Sequence, residues 1–237
     1  MNVIKFRVVG ILNSFRIPLF KTYHRTFLAP TKTNIIGMLV NIMKQPERVY
    51  YDILKQNTIK LSVIINNIEG KTKDLWAYKT FNSKNNGRSI IRRDRLFRAS
   101  YTVYLKIEDC GYLCREIFDC LKQPKSIPSL GLDDEIVKIS EVEVIENLQE
   151  NNTRIINSVF FDEGYSYTVN IIDEDKYFQL PVANETPMFF TVKAPDESFR
   201  ESRKPERLLK QVEYINCEIN LNNVKSYTDG ENRMVFY

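Results

Sequence analysis

SFRIPLFKTYHRTFLAPTKTNIIGMLVNIM, residues Ser14 to Met43, begins as a basic and aromatic loop and passes through Pro30 into a helical pattern. From Ile35 the apolar residues fall at Ile35, Ile36, Leu39, Val40 and Met43, the three-to-four spacing that sets one helical face on a core. Thr33 is placed to cap this helix, its hydroxyl accepting a hydrogen bond from a first-turn amide. Free amides and the macrodipole favour acids at a helix start, yet this one carries Lys32 and meets no acid until Glu47. First-turn amides, the Thr31 and Thr33 hydroxyls, Lys32 and the nearby Arg16, Lys21 and Arg25 together form a seat for an anion, most simply a phosphate. A capped helix beneath a solvated loop accounts for the same residues. Gly37 costs roughly 1 kcal/mol against Ala inside a helix, which a close approach by a strand or partner would explain.

Outward from this stretch, Val3 to Val9 reads as a strand ended by Gly10, and Ile59 to Asn67 as a second strand rich in β-branched residues. Tyr101 to Ile107 is a third. A helix from about Gly111 to Leu121 follows, with Tyr112, Ile117, Phe118 and Leu121 on its apolar side and Gln123-Pro124 as its stop. Ile136 to Ile145 alternates apolar and polar residues as a fourth strand. The order is β-α-β-β-α-β, an α+β fold of the ferredoxin-like kind shared with RNA recognition motifs. Residues 68–100 are a long insertion between the second and third strands, and a loop of that length has structure or function of its own. LWAYKT reads as one arm of a projecting β-hairpin, with the following segment as tip and return.

Residues 1–146 therefore read as one domain carrying the insertion, and residues 147–237 as a small β-rich C-terminal lobe. Asn147 to Asn152 is a polar linker. Strand candidates follow at VFF, YSYTVNII, YFQL and MFFTV, then the basic stretch FRESRKPERLLK. Asp229-Gly230 marks a hairpin turn between VKSY and MVFY.

The chain has 237 residues, 43% of them hydrophobic, enough to bury a core. MNVIKFRVVG lacks the features of a signal peptide, and no apolar run approaches a bilayer span, so a soluble cytoplasmic protein without membrane association is expected. Cys110, Cys114, Cys120 and Cys217 fit reduced thiols. With one histidine and no paired CxxC motifs, neither a structural metal nor a cofactor is expected. The net charge of +4 conceals a division: residues 1–100 carry 19 Lys and Arg against 5 Asp and Glu (+14), residues 101–237 carry 15 against 25 (−10). Such asymmetry points to a polyanionic partner for the first half.

Asn82 to Arg98 concentrates that charge in Lys84, Arg88, Arg92, Arg93, Arg95 and Arg98, against the single acid Asp94. Arginine forks grip phosphate at two points and stack on bases, so an Arg-rich finger turning at Asn85-Asn86-Gly87 suits RNA. YTVYLKI lacks the aromatic pattern with which RNA recognition motifs stack bases, which leaves loops, helix start and finger as the binding elements. Asp133-Asp134-Glu135 reads as a solvated turn. Tyr23-His24-Arg25 raises the question of metal-free RNA cleavage, which needs a base and an acid or cation. His24 with Tyr23, Lys21 or Lys32 is the available set, and a structural or RNA-contacting His24 is the other reading. No nucleotide-hydrolase, metalloprotease, serine-hydrolase or dinucleotide motif appears.

SFR-x-P, then Thr26 and Pro30, then a small polar entry into Ile-Ile-Gly-x-Leu, resembles the N-terminal motif of CRISPR-associated protein family five, of the RAMP superfamily. The Arg-rich segment before Tyr101 and Ser129-Leu130-Gly131 resemble the family as well, and the likeness covers residues 1 to about 145. It implies a type I-B-like Cascade subunit that caps the 5′ handle of the guide RNA (crRNA) in antiviral defence. The insertion then becomes a thumb beside the RNA, and Gly131 a loop through which backbone approaches it, although a plain turn also explains that glycine. Implied partners are the family seven backbone subunit, the family eight large subunit and target DNA near the complex. Some family members cleave precursor crRNA, so a metal-independent endoribonuclease is the alternative to a noncatalytic subunit.

Overall fold

The computed structural model of the protein describes residues 3–20, 22–82, 85–108, 111–146, 148–151, 154–161, 164, 166–171, 178–192, 205–221 and 224–237. Strand β1 (Val3–Asn13) leads through a loop containing the two-residue strand β2 (Tyr23–His24) into helices α1 (Lys32–Met43) and α2 (Glu47–Gln56). Strands β3 (Ile59–Asn67), β4 (Gly70–Asn82) and β5 (Asn85–Ile107) follow, then helix α3 (Tyr112–Lys122) and strand β6 (Val137–Ile145).

Period-two alternation decides the faces of the sheet. In β1, Ile4, Phe6 and Val8 are fully buried with the helices, while Lys5 and Arg7 point to the opposite face and are half-buried. The pairing runs β6-β1-β5-β3, antiparallel at each step. β5 is long enough to serve two structures. From Leu96 to Lys106 it pairs with β1, and from Asn85 to Phe97 it pairs with β4 as a hairpin leaving the sheet. The expected LWAYKT arm lies in β4.

Four local expectations are corrected. Thr31 rather than Thr33 caps α1: its Oγ1 accepts from the Asn34 amide at 3.3 Å, and Asn34 Oδ1 accepts from the Thr31 amide at 3.1 Å, a reciprocal capping box. β1 runs past Gly10 to Asn13, and the Asn13 side chain fills the space beside the glycine, its Oδ1 1.8 Å from where a Cβ would stand. Gly37 is not crowded, its nearest neighbour being Tyr50 Cε2 at 3.8 Å. Tyr112 is exposed at 80%, and Cys114 and Cys120 take inward positions on α3 beside Ile117 and Leu121.

The remaining strands are β7 (Gln149–Asn151), β8 (Ile155–Ile156), β9 (Phe160–Phe161), β10 (Tyr167–Ile171), β11 (Val182–Val192), β12 (Pro205–Tyr214), β13 (Glu218–Leu221), β14 (Ser226–Thr228) and β15 (Arg233–Met234). They pair as β10-β13-β8, β11-β12-β9 and β15-β14-β7. YFQL forms no strand at residues 178–180, and residues 199–204 of the basic stretch lie outside the described residues while Pro205 to Lys210 belong to β12. The Asp229-Gly230 turn joins β14 to β15, with Asp229 Oδ1 accepting from the Glu231 and Asn232 amides.

These strands close around the sheet. Backbone hydrogen bonds of 2.9 Å join Leu61 to Tyr237 in both directions and Val159 to Val63, covering the outer edge of β3. Val159, Met188, Val212, Tyr214 and Tyr237 enter the same core as α1 and α3, where Phe27 stacks on Tyr214 at 5.2 Å. On the other face, Tyr104 is fully buried and donates to Asp229 Oδ2 at 2.7 Å, beside Lys5 at 3.1 Å from the same carboxylate. Both tyrosines of YTVYLKI are thus buried. Among the described residues no helix is long and apolar enough to cross a membrane.

Candidate nucleic-acid interface

The base of the β4–β5 hairpin is where the sequence-predicted residues gather. β2 pairs in parallel with β5, Tyr23 opposite Arg92 and His24 opposite Arg93, and so lays the Ser14 loop against the hairpin. Tyr23 donates its hydroxyl to Asp94, and the Arg92 guanidinium sits 4.9 Å from the Tyr23 ring centroid. The bond to Asp94 raises the Tyr23 pKa.

Between loop, hairpin and helix start lies a cleft of about 230 Å³. Arg16, His24, Arg25, Thr31, Thr33, Arg93 and Gly131 all line it. A second cleft, of about 260 Å³, shares Arg16, Thr33 and Pro187 with the first and continues to Arg207 of β12. Arg16 and Arg25 are exposed, and Arg25 stands 5.1 Å from the Phe20 ring centroid.

The finger's arginines divide into two groups. Arg88 and Arg92 are exposed on the hairpin. Arg93 is 5% exposed, with Nε 3.0 Å and Nη2 2.9 Å from Asp74 Oδ2, and Nη1 without a hydrogen-bond partner among the described residues. Arg95 approaches Asp74 at 3.5 Å and Glu135 at 3.1 Å. Arg98 meets Glu69 at 3.4 Å on the exposed surface. Lys21 and Lys84 lie outside the described residues. Lys32 belongs elsewhere: its buried ammonium donates to Asn57 Oδ1 at 2.6 Å, and burial with neighbouring Lys60 and Lys210 lowers its pKa to about 8.

Glu135 corrects the reading of a solvated acidic turn. Asp133 and Asp134 are exposed, but Glu135 is 1% exposed. Its Oε2 accepts from the Ser14 amide at 2.7 Å and the Leu132 amide at 3.0 Å, and its Oε1 from Ser14 Oγ at 2.6 Å. Gly131 has φ of 115°, and a Cβ there would lie 2.0 Å from Glu135 Oε2 and 2.6 Å from Ser14 O. Only glycine fits both the left-handed turn and the approach of the loop. Carboxylate and glycine together lock the SFR motif to the turn before β6.

His24 packs 6.4 Å from the Trp76 ring centroid. Burial first, then the positive charges of Arg16 and Arg93, lower its pKa, which favours a neutral imidazole. Lys32 does not join it, since that ammonium is turned to Asn57. Sequence reasoning missed Trp76, Glu135 and Arg207. An isolated tryptophan on an arm flanked by lysines was a usable signal for the first, and the stretch FRESRKPERLLK for the last.

The architecture is that of solved CRISPR proteins. The chain is similar to a chain of a CRISPR RNA-guided surveillance complex, at 13% identity and TM-score 0.55, covering 94% of this chain and 91% of that one. It is likewise similar to a CRISPR protein from Archaeoglobus fulgidus, at 10% identity and TM-score 0.57, covering 99% and 98%. In sequence the match is to a family: the profile of the CRISPR-associated protein (Cas_Cas5) family matches residues 3–195, and the chain belongs to that family. The resemblance carried by the SFR motif, the Arg-rich segment and Ser129-Leu130-Gly131 is thereby borne out. A comparison with curated protein sequences finds no match.

Proposed function

We propose that this chain is a noncatalytic RNA-binding subunit of a type I, I-B-like CRISPR Cascade complex, acting in the cytoplasm to hold the 5′ handle of the crRNA. The observation that carries the reading is the convergence of Arg16, His24, Arg25, Thr31, Thr33, Arg93 and Gly131 on one cleft at the foot of an Arg-rich hairpin. In this reading β6-β1-β5-β3 with α1 and α3 is a ferredoxin-like domain spanning residues 1–146. The β4–β5 hairpin is its thumb, and residues 147–237 are a β-rich lobe whose β12 supplies a further arginine. Arg88, Arg92, Arg16 and Arg25 hold phosphates. The family seven backbone subunit, the family eight large subunit and target DNA are the partners. Co-expression with those subunits tests the proposal: the purified assembly carries a discrete small RNA protected at its 5′ end, and RNA-free or random-RNA assemblies refute it.

The neutral His24 imidazole favours one other reading, a metal-independent endoribonuclease in which His24 takes the 2′-OH proton and Tyr23 or Lys32 assists. With Lys32 held by Asn57 and Tyr23 by Asp94, two of the three groups are committed elsewhere. Incubating the protein with repeat RNA in EDTA decides: cleavage lost in His24→Ala supports the enzyme, and intact RNA supports the noncatalytic subunit.

A further inference from the structure

We propose that the cleft between β2, β4 and the start of α1 receives a single unstacked RNA base, stacked on Trp76 and hydrogen-bonded by Arg93 Nη1. This rests on the RNA-binding reading and adds which side chains meet a base rather than a phosphate.

Arg93 is the first support. Its side chain is 7% exposed and two of its nitrogens are spent on Asp74, so its charge is largely answered within the protein. Nη1 remains buried with no hydrogen-bond partner among the described residues, on a residue that lines the cleft. A buried donor left without an acceptor destabilises the free protein, and an acceptor entering the cleft relieves that cost. A guanidinium already paired with a carboxylate is a weak phosphate ligand. Its remaining N–H fits a neutral ring nitrogen or carbonyl oxygen.

Trp76 is the second. It lines the same cleft, is 42% exposed, and has Arg93 at 5.3 Å and Tyr78 at 6.3 Å from its ring. An indole held at a basic cleft is the platform on which single-stranded RNA stacks. Tyr23 does not compete for the role, because it is not among the residues that line this cleft and Asp94 takes its hydroxyl. A volume of about 230 Å³ is room for one planar base. Exposed Arg16 and Arg25 at the same cleft are left for the flanking phosphates.

Trp76 is the sole tryptophan of the chain, so its emission reports on this cleft alone. Short oligouridine RNAs are prepared with one internal adenine, one internal guanine, or one abasic ribose. The full chain is titrated with each, following indole emission with unlabelled RNA and anisotropy with end-labelled RNA. Base-bearing RNAs change Trp76 emission on binding and the RNA whose abasic ribose occupies the cleft does not. Trp76→Ala weakens the base-bearing RNAs roughly five- to hundred-fold. Binding seen by anisotropy with no emission change for any RNA overturns the base site and leaves the RNA-binding reading intact, as does an identical response to abasic and base-bearing RNA across all placements of the abasic ribose. Absence of binding to every RNA overturns both.

Discussion

The Arg95 guanidinium lies 3.1 Å from the carboxylate of Glu135, whose side chain is wholly shut off from solvent. Arg95 comes from the foot of the hairpin and Glu135 from the turn before β6, and the same carboxylate also holds Ser14 through two hydrogen bonds. Three segments distant in sequence are thus fixed by one buried charge. Removing one partner of such a pair leaves the other uncompensated, at a cost of roughly 3–5 kcal/mol. Glu135→Gln keeps the shape, so we expect a loss near the lower end, about 3 kcal/mol, in urea unfolding. Arg95→Met should lose stability in the same direction, and the double variant less than the sum of the two. Simple additivity would show that the pair is not coupled.

Lys32 yields a prediction of the opposite sign. It is 3% exposed and its pKa is lowered from 10.5 to about 8 by burial, with Lys60 and Lys210 adding to the effect. Between pH 8 and 10.5 the unfolded chain holds a proton that the folded protein has released, so stability rises with pH across that window. Below pH 8 the full cost of the buried charge is present, on the order of 3 kcal/mol. Lys32→Met should therefore stabilise the protein at pH 7 by about 1–2 kcal/mol, the remainder being lost to the unpaired Asn57 Oδ1, and should flatten the slope above pH 8. Urea midpoints at pH 7 and 9.5 measure both. Since the ammonium is turned to Asn57, the variant should bind RNA as the parent does.

What the sequence made legible follows from how local each signal is. The alternation Ile4, Phe6, Val8 and the β-branched run of β3 announce a sheet by themselves, and the insertion announces the hairpin by its length and charge. Helix α2 buries only Tyr51, Ile53 and Leu54 among charged residues, too little apolar pattern to mark it. The cap was misplaced by two residues because the apolar period starts at Ile35. In the structure the helix begins at Lys32, a charged residue buried in the first turn. Glu135 was unreadable for a different reason. Beside Asp133 and Asp134 it looks solvated, and only folding brings Ser14, 121 residues away, to its carboxylate. Arg93 and Arg95 likewise read as free cations until β4 pairs with β5 and sets Asp74 beside them.

His24 should make RNA binding respond to pH. It is the one histidine of the chain, and its pKa is lowered by burial, then by Arg16 and Arg93, so the free protein carries it neutral at pH 7. A phosphate seated at Arg16 offsets that positive charge and raises the His24 pKa, which couples binding to proton uptake. Affinity for a short single-stranded RNA should then increase as pH falls below about 6.5, up to roughly tenfold per unit of pKa change. Folding responds in the other direction. A lowered histidine pKa means that the unfolded chain takes up the proton first, so the free protein loses stability as pH falls below 6.5. His24→Ala should remove both responses. A pH response of RNA affinity that survives the substitution would assign it to another group.

Arg207 tests whether the strand path crosses from the hairpin to the C-terminal strands. β12 brings it to a cleft of about 260 Å³ that shares Arg16, Thr33 and Pro187 with the one under Trp76, so the two clefts adjoin. Each phosphate neutralised on a single strand contributes about −0.7 to the slope of log affinity against log salt. Arg207→Ala should make that slope shallower by about this amount and weaken all RNA sequences equally, because a phosphate contact carries no base information. Arg16→Ala, at the junction of the two clefts, should do the same. If instead the Arg207 variant retains the parent slope while the Arg16 variant loses it, the strand stays on the hairpin side of α1 and β12 serves the core alone.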